Sequence, residues 1–347
     1  MGAHEAVRPL VFRVEASTQS GLGHLMRCLA IAQAAEDQSI PSIFLLSEEG
    51  KVLARARHDW TYDVISVPIC ESQHEEGSWI RETLNAVNAS ALIVDGYSFT
   101  SKLLVPIRDC ETSVFVLDDG SNALTAFADI VINPATREYD ELYLQSQASL
   151  RLCTGDKYRL LRREFQVLSL PSIEARHGIA VNLGGSDPMN LTLPVLQLLQ
   201  QTLPEVPVRV VTGAGYRNLP ALERFIAQSP LAVQHIHNCQ NMADVWSHAR
   251  VAISAAGGSQ FELAVCQTPS LLLMVAENQR GATNLARSQG WCEFFDCTTE
   301  FPEPRLSSAL TELFFNEHRL KEMSAKASKL HDALGAIRVL EVISETL

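Results

Sequence analysis

Short apolar runs recur along the chain at intervals that leave room for a helix between them. LVFRV (10–14), PSIFLL (41–46), YDVISV (62–67), ALIVDGY (91–97), SVFVLDD (113–119) and ADIVINP (128–134) have strand length, with helical spacing of apolar residues over 23–36 and 77–88. Continuous apolar strands alternating with helices predict a largely parallel sheet covered on both faces. The tract from about 135 to 171 is less periodic. The pattern then restarts with GIAVNL (178–183), PVRVVTG (207–213), AVQHIH (232–237), VAISAA (251–256) and PSLLLMVA (269–276). Helices are expected near 189–201, 219–228, 241–247, 259–266 and 280–288, and the tail from about 303 to 347 reads as mostly helical. The expected architecture is α/β, with two Rossmann-like domains, 1–170 and 171–347, the second carrying the helical tail. Ligands are expected in a cleft between the carboxyl ends of the two sheets.

Composition narrows the function classes. The 347 residues favour two domains over one. Forty acidic against 28 basic residues, a net charge of -12, argue against a broad nucleic-acid surface but leave room for a local basic pocket. Eight cysteines, at 28, 70, 110, 153, 239, 266, 292 and 297, form no C-x-x-C pair and read as buried free thiols. No run reaches the roughly 18 apolar residues of a membrane span, and the N-terminus lacks a signal-like segment, so the expectation is a cytoplasmic protein with no membrane insertion.

The stretch SGLGHLMRC (20–28) follows the first strand. It fails the dinucleotide fingerprint, because Met26 holds the third glycine position, and it lacks the lysine of a P-loop. A nicotinamide dehydrogenase is therefore a poor fit. What remains is a glycine turn delivering a helix N-terminus to the strand end, with Gly21 and Gly23 giving a ligand close approach. His24 and Arg27, three apart, lie off the face that Leu25, Leu29 and Ala32 turn to the sheet. The positive end of the helix dipole disfavours an imidazolium in the first turn, which suits His24 to a general base; local capping or packing is the plainer role.

GLGHLMRCLAIA (21–32) resembles the G-x-G-H-x-x-R-C signature of the UDP-2,4-diacetamido-2,4,6-trideoxy-β-L-altropyranose hydrolases of pseudaminic acid biosynthesis, a family related to two-domain glycosyltransferases. VDGY (94–97), LDDG (117–120), INP (132–134), GDKYRLLRREF (155–165), NLGGSDPMN (182–190), ISAAGGSQFE (253–262) and ENQ (277–279) are similar to the family's motifs in its order. The resemblance spans most of 9–295 and implies a glycosyltransferase-B-like fold, with His24 as the catalytic histidine. Two positions depart from the family pattern. Arg13-Val14-Glu15-Ala16-Ser17 has glutamate where the family has aspartate, and Asp95-Gly96-Tyr97 has glycine where the family has histidine. Arg13, Glu15 and Asp95 are taken as substrate-binding candidates. Tyr97 resembles the family's active-site tyrosine, able to position water or sugar, against a plainer role in packing at the sheet edge.

Asp118 and Asp119 are adjacent and diverge if extended, which gives them a role in ordering the site and implies no metal. In the second half, Gly184, Gly185 and Asp187 form either a capped turn or a backbone cradle for diphosphate. Gly257, Gly258 and Ser259 bring amides of a strand-to-helix turn to a phosphate. Glu262, three residues after Ser259, closes a capping box, or contacts the ribose as the corresponding acid does in the glycosyltransferases that the pattern resembles. Asn278 is by resemblance a catalytic or sugar-contact residue, and Gln279 serves either the ligand or the helix start. His235 and His237 share a strand face without the further ligands that a zinc site needs.

The implied reaction is inverting hydrolysis of a UDP-linked diacetamido-trideoxy sugar at C1, without cofactor or metal, with His24 taking the proton of the attacking water and the chain acting as a monomer. The alternatives are a UDP-sugar-dependent glycosyltransferase using a hydroxyl acceptor, and a noncatalytic nucleotide-sugar-binding protein.

Overall fold

The computed structural model describes residues 7–17, 22–108, 110–121, 123–147, 149–329 and 332–347. Gly21 lies outside them. The chain divides into two units, residues 1–163 with 333–347, and residues 164–332.

The first unit is built on seven parallel strands, β1 (Leu10–Val14), β2 (Ser42–Leu46), β3 (Asp63–Ser66), β4 (Ala91–Asp95), β5 (Ser113–Leu117), β6 (Ile130–Asn133) and β7 (Arg151–Thr154), in the order β3-β2-β1-β4-β5-β6-β7. Its helices are α1 (Gly23–Asp37), α2 (Glu48–Arg55), α3 (Gln73–Ala86), α4 (Ser101–Leu104) and α5 (Asp140–Ser146). The central strands β1 and β4 are buried along their whole length, which is why they read as unbroken apolar runs. Alternation divides their side chains between two cores. Leu10, Phe12 and Val14 of β1 with Ala91 and Ile93 of β4 pack on the α1 side, whereas Val11, Leu92 and Val94 pack on the α3 and α4 side.

The second unit repeats the scheme with six parallel strands, β8 (Ile179–Asn182), β9 (Val208–Thr212), β10 (Val233–His237), β11 (Val251–Ala255), β12 (Ser270–Met274) and β13 (Cys292–Asp296), in the order β10-β9-β8-β11-β12-β13. Helices α6 (Thr192–Thr202), α7 (Leu219–Gln228), α8 (Met242–His248), α9 (Ser259–Val265), α10 (Arg280–Gln289), α11 (Glu303–Phe315) and α12 (Glu317–Ser328) accompany it.

Several expectations are corrected. The last helix, α13 (Gly335–Ser344), belongs to the first unit and not to a tail of the second. Its apolar stripe, Ala336, Val339, Leu340 and Ile343, is buried in the core that α1 also covers, and the two helices pack side by side. The boundary accordingly falls at 163/164 and not near 170. Two edge strands, β7 and β13, have no counterpart in the apolar pattern: RLCT and CEFFD are short and broken by charge, and each is a strand because its neighbour supplies parallel pairing. Helix α6 starts at Thr192 and not at 189, for a reason that lies at Asp187. Among the described residues no helix is long and apolar enough to cross a membrane.

Candidate active site

In each sheet the chain reverses its direction of strand addition once, between β1 and β4 in the first and between β8 and β11 in the second. Loops leaving the carboxyl ends of strands diverge at such a point and leave a crevice. In the first sheet, β4 sets Asp95 beside Val14 of β1 and Leu117 of β5. Asp95 continues the face of Ala91 and Ile93, so it meets the first turn of α1.

There His24 Nδ1 lies 2.7 Å from Asp95 Oδ1. Arg27 binds the same carboxylate through both edges of its fork, Nε to Oδ2 at 2.6 Å and Nη2 to Oδ1 at 2.6 Å. Its Nη1 donates to Asp119 Oδ1 at 2.9 Å and Oδ2 at 3.1 Å. Burial alone would push the Asp95 carboxyl up, but the Arg27 guanidinium, supported by His24, outweighs it and holds the group far below the usual carboxylate range. Burial likewise works against the charge on Arg27, and Asp95 and Asp119 overcome it, raising the guanidinium well above its ordinary value. Asp95 is thus an anion that only accepts, so the proton between it and His24 belongs to Nδ1 and the lone pair to Nε2. Arg27 Nη2 also lies 3.2 Å from Nδ1, a proximity of cation and ring without a hydrogen bond, because both atoms are donors.

Both His24 and Asp95 are buried, at 4% and 0% exposure. Asp95, expected as a substrate contact, has no exposed surface, and its carboxylate is engaged by His24 and Arg27. Tyr97 stands over them, its ring edge-on to His24 at 4.5 Å between centroids and its hydroxyl donating to Asp119 Oδ2 at 2.7 Å. Desolvation of that hydroxyl, then the charge of Asp119, push its pKa well above the usual phenol value, so it remains a phenol.

The adjacent aspartates diverge. Asp118 is buried in its own loop, accepting from Gly120 N at 2.7 Å, from Tyr143 Oη at 2.8 Å and from the Ser121 hydroxyl. Asp119 alone reaches Arg27 and Tyr97. Before a glycine it reads as a turn residue; the signal in the sequence is its place directly after β5, the neighbour of β4.

Arg13 does not join this group. It alternates onto the opposite face of β1 with Val11, where Glu76 Oε1 at 2.6 Å, the Val14 carbonyl at 2.9 Å and the Phe99 ring hold its guanidinium. Glu15 accepts from Ser98 N at 3.0 Å and lies over Gly96. A Cβ on Gly96 would come within 2.6 Å of Glu15 Cβ and 2.7 Å of Phe99 Cε2, so the two departures from the family pattern are neighbours that share one space. Gly23 is different: a Cβ there meets nothing within 4 Å among the described residues.

In the second unit, Gly184 takes φ +89, a left-handed conformation that favours glycine, and its open side is likewise empty. The Gly185 backbone lies against Gly213, where a Cβ would fall 2.5 Å from the Gly185 carbonyl, so the close approach requires glycine at 213. Asp187 is buried against the chain that follows it. Its two oxygens accept from Leu191 N at 2.9 Å and Thr192 N at 2.8 Å, which starts α6 at Thr192.

After β11, a Cβ on Gly258 would meet nothing within 4 Å, and one on Gly257 only Gln279 Nε2 at 3.8 Å. Ser259 is the first residue of α9, not its cap, so the expected Ser259–Glu262 capping box does not form. Glu262 instead accepts from the Trp246 indole at 3.0 Å, and a ribose contact would draw on the same carboxylate. Gln279 Oε1 accepts from Val275 N at 2.9 Å and makes no capping bond to α10, while Asn278 stands exposed on the turn before that helix. His235 Nε2 and His237 Nδ1 both meet Thr212 Oγ1, at 2.8 and 3.2 Å. Among the described residues no three His, Cys, Asp or Glu side chains are grouped to hold a metal ion.

Comparison with known proteins places this geometry. Residues 181–338 match the glycosyltransferase family 28 C-terminal domain. The spore coat polysaccharide biosynthesis protein SpsG of Bacillus subtilis is 22% identical over 334 residues, 94% of this chain and 95% of that protein. The UDP-2,4-diacetamido-2,4,6-trideoxy-β-L-altropyranose hydrolase of Campylobacter jejuni is 23% identical over 291 residues, 81% of this chain and 97% of that one. An uncharacterised protein of Methanocaldococcus jannaschii is 22% identical over 77% of this chain, which spans only 55% of its length. Among solved structures, Acinetobacter baumannii MurG superposes with a TM-score of 0.67 at 18% identity, covering 97% of this chain and 99% of that one. LpCGTa in complex with UDP gives 0.65 at 16%, covering 98% and 99%. The second half of the chain is therefore similar to a glycosyltransferase family 28 C-terminal domain, the fold is glycosyltransferase-B-like, and the UDP-diacetamido-trideoxy-altropyranose hydrolase family suspected from the motifs fits these relatives.

Proposed function

We propose that the protein hydrolyses a UDP-linked 2,4-diacetamido-2,4,6-trideoxy hexose at C1 with inversion, releasing UDP and the free sugar for nonulosonic acid biosynthesis. The observation that carries this reading is the His24–Asp95 pair. A buried carboxylate that fixes the Nδ1–H tautomer leaves Nε2 to take a proton, and its charge steadies the imidazolium that results. Water attacks C1, its proton passes to Nε2, and the bond from C1 to the diphosphate oxygen breaks with its electron pair. A nucleoside diphosphate is a competent leaving group, so the pair of carboxylic acids of an ordinary glycosidase is not required.

In this reading the open glycine turns of the second unit, at Gly184 and at Gly257 and Gly258, offer backbone amides to a diphosphate, and Asn278 offers its amide to the ligand.

The match to a glycosyltransferase family 28 domain supports a second reading, transfer of the sugar to a hydroxyl acceptor. UDP release from the proposed substrate, measured in buffer alone and with acceptor sugars, tests between them. Acceptor-independent release that His24→Ala abolishes supports hydrolysis, and release only with an acceptor supports transfer.

A further inference from the structure

We propose that Cys28 is a positioning residue: its thiol donates the fourth hydrogen bond to Asp95 and so fixes the carboxylate that holds His24; this rests on the hydrolytic reading above. His24, Arg27 and Cys28 stand at i, i+3 and i+4 of α1, the spacing that brings side chains to one face of a helix. All three reach the one carboxylate that β4 presents. Oδ1 accepts from His24 Nδ1 at 2.7 Å and from Arg27 Nη2 at 2.6 Å. Oδ2 accepts from Arg27 Nε at 2.6 Å and from Cys28 Sγ at 3.5 Å, the longer distance of a sulfur donor. An ionised carboxylate has about four lone-pair sites, and these donors fill them.

Arg27 divides itself between two carboxylates, because its Nη1 donates to Asp119 at 2.9 Å, whereas among the described residues the Cys28 thiol serves Asp95 alone. Without the thiol, Oδ2 is left to a guanidinium that Asp119 also draws. Any tilt of the Asp95 carboxylate then passes to the His24 ring through Oδ1 and changes the direction of Nε2. A thiol suits this position because it faces two ways. Cys28 has no solvent exposure and belongs to the apolar core that also holds Phe12, Leu25 and Ala32. A small apolar group with a weak donor completes that core and still has a proton for Asp95. Burial, then the charge of Asp95, push the thiol well above its ordinary pKa, so the donor keeps its proton. The cysteine that the sequence presents as one more buried free thiol thus has a polar partner.

Two variants separate the donor from the packing. Cys28→Val keeps a buried apolar side chain and removes the donor, while Cys28→Ser keeps a donor. Cys28→Val is expected to lower kcat for release of the free sugar on the order of fivefold to tenfold, the worth of one hydrogen bond, with KM little changed, and Cys28→Ser to restore most of the loss. The S–H stretching band in the infrared, isolated as the difference between wild type and Cys28→Val, reads the bond itself without turnover. It is expected below the frequency of a thiol that has no carboxylate partner, and to move up in Asp95→Asn. Where Cys28→Val fails to fold, Cys28→Ala supplies both the kinetics and the difference spectrum. A wild-type kcat in the variant without the donor overturns the proposal and leaves the hydrolytic reading standing. So does a loss that Cys28→Ser shares in full, which assigns the residue to packing, and so does a band at the frequency of an unbonded thiol. No sugar release by the wild type overturns the hydrolytic reading instead, and the position of the infrared band then decides whether Cys28 donates to Asp95.

Discussion

His24 Nδ1 and Asp95 Oδ1 stand 2.7 Å apart, and the aspartate has no solvent exposure. The bond therefore has no competitor in water, and it sets both the tautomer of the ring and the direction of Nε2. Asp95→Asn keeps the volume but replaces an acceptor with a group that also donates. We expect kcat to fall by about three to four orders of magnitude with KM nearly constant, as for a base held in the wrong tautomer. Steady-state kinetics on UDP release read this out, and a fall confined to KM would contradict it.

The same carboxylate makes stability depend on pH. Arg27 and His24 hold the Asp95 carboxyl far below its unfolded value of about 3.9, so its contribution is complete above that value. As pH falls below about 4 the unfolded chain binds a proton that the folded chain refuses, and stability is lost progressively toward the folded pKa. Asp95→Asn should cost about 3 kcal/mol or more at neutral pH, because Arg27 loses a buried partner. Denaturant unfolding at pH 7 and pH 3 should show the gap between wild type and variant narrowing on acidification; a constant gap would show that Asp95 is not the group responsible.

Gly23 and Gly258 have space where a side chain would stand. Alanine at either position should leave the melting temperature unchanged or slightly raised, since neither requires a left-handed backbone, while raising KM for the UDP-sugar several-fold. A drop in melting temperature without a change in KM would mean that these glycines serve folding.

Gly96 makes the opposite case. A methyl group there meets Glu15 and Phe99 at under 3 Å, so Gly96→Ala should destabilise by about 1–3 kcal/mol, and Glu15→Gln, which keeps the bulk, should not relieve it. Thermal or chemical unfolding of the single and double variants checks this.

The repeating strands and helices are legible because a parallel sheet buried on both faces leaves apolar runs that need no alignment to see. Where neighbours far apart in the chain decide the outcome, the sequence is silent. The stripe on α13 marks it as a packed helix but cannot say that its partner is α1, some 300 residues earlier. His24, Arg27 and Tyr97 stand out by motif and spacing. Asp119 does not, since a strand-end aspartate before glycine reads as a turn until the sheet order sets β5 beside β4. Arg13 reads as a substrate contact only while strand alternation, which turns it toward Glu76, is left out of account. Asp187 accepts two backbone amides, the contacts expected of the capped turn, which is one of its two readings.

The most direct test of the central claim is turnover of the UDP-linked diacetamido-trideoxy hexose in oxygen-18 water, with both products followed by mass spectrometry and His24→Ala as the control. Water attack at C1 predicts label in the free sugar, none in UDP, and no turnover in the variant. Label in UDP would put the attack on phosphorus and contradict the account, and so would undiminished turnover without His24.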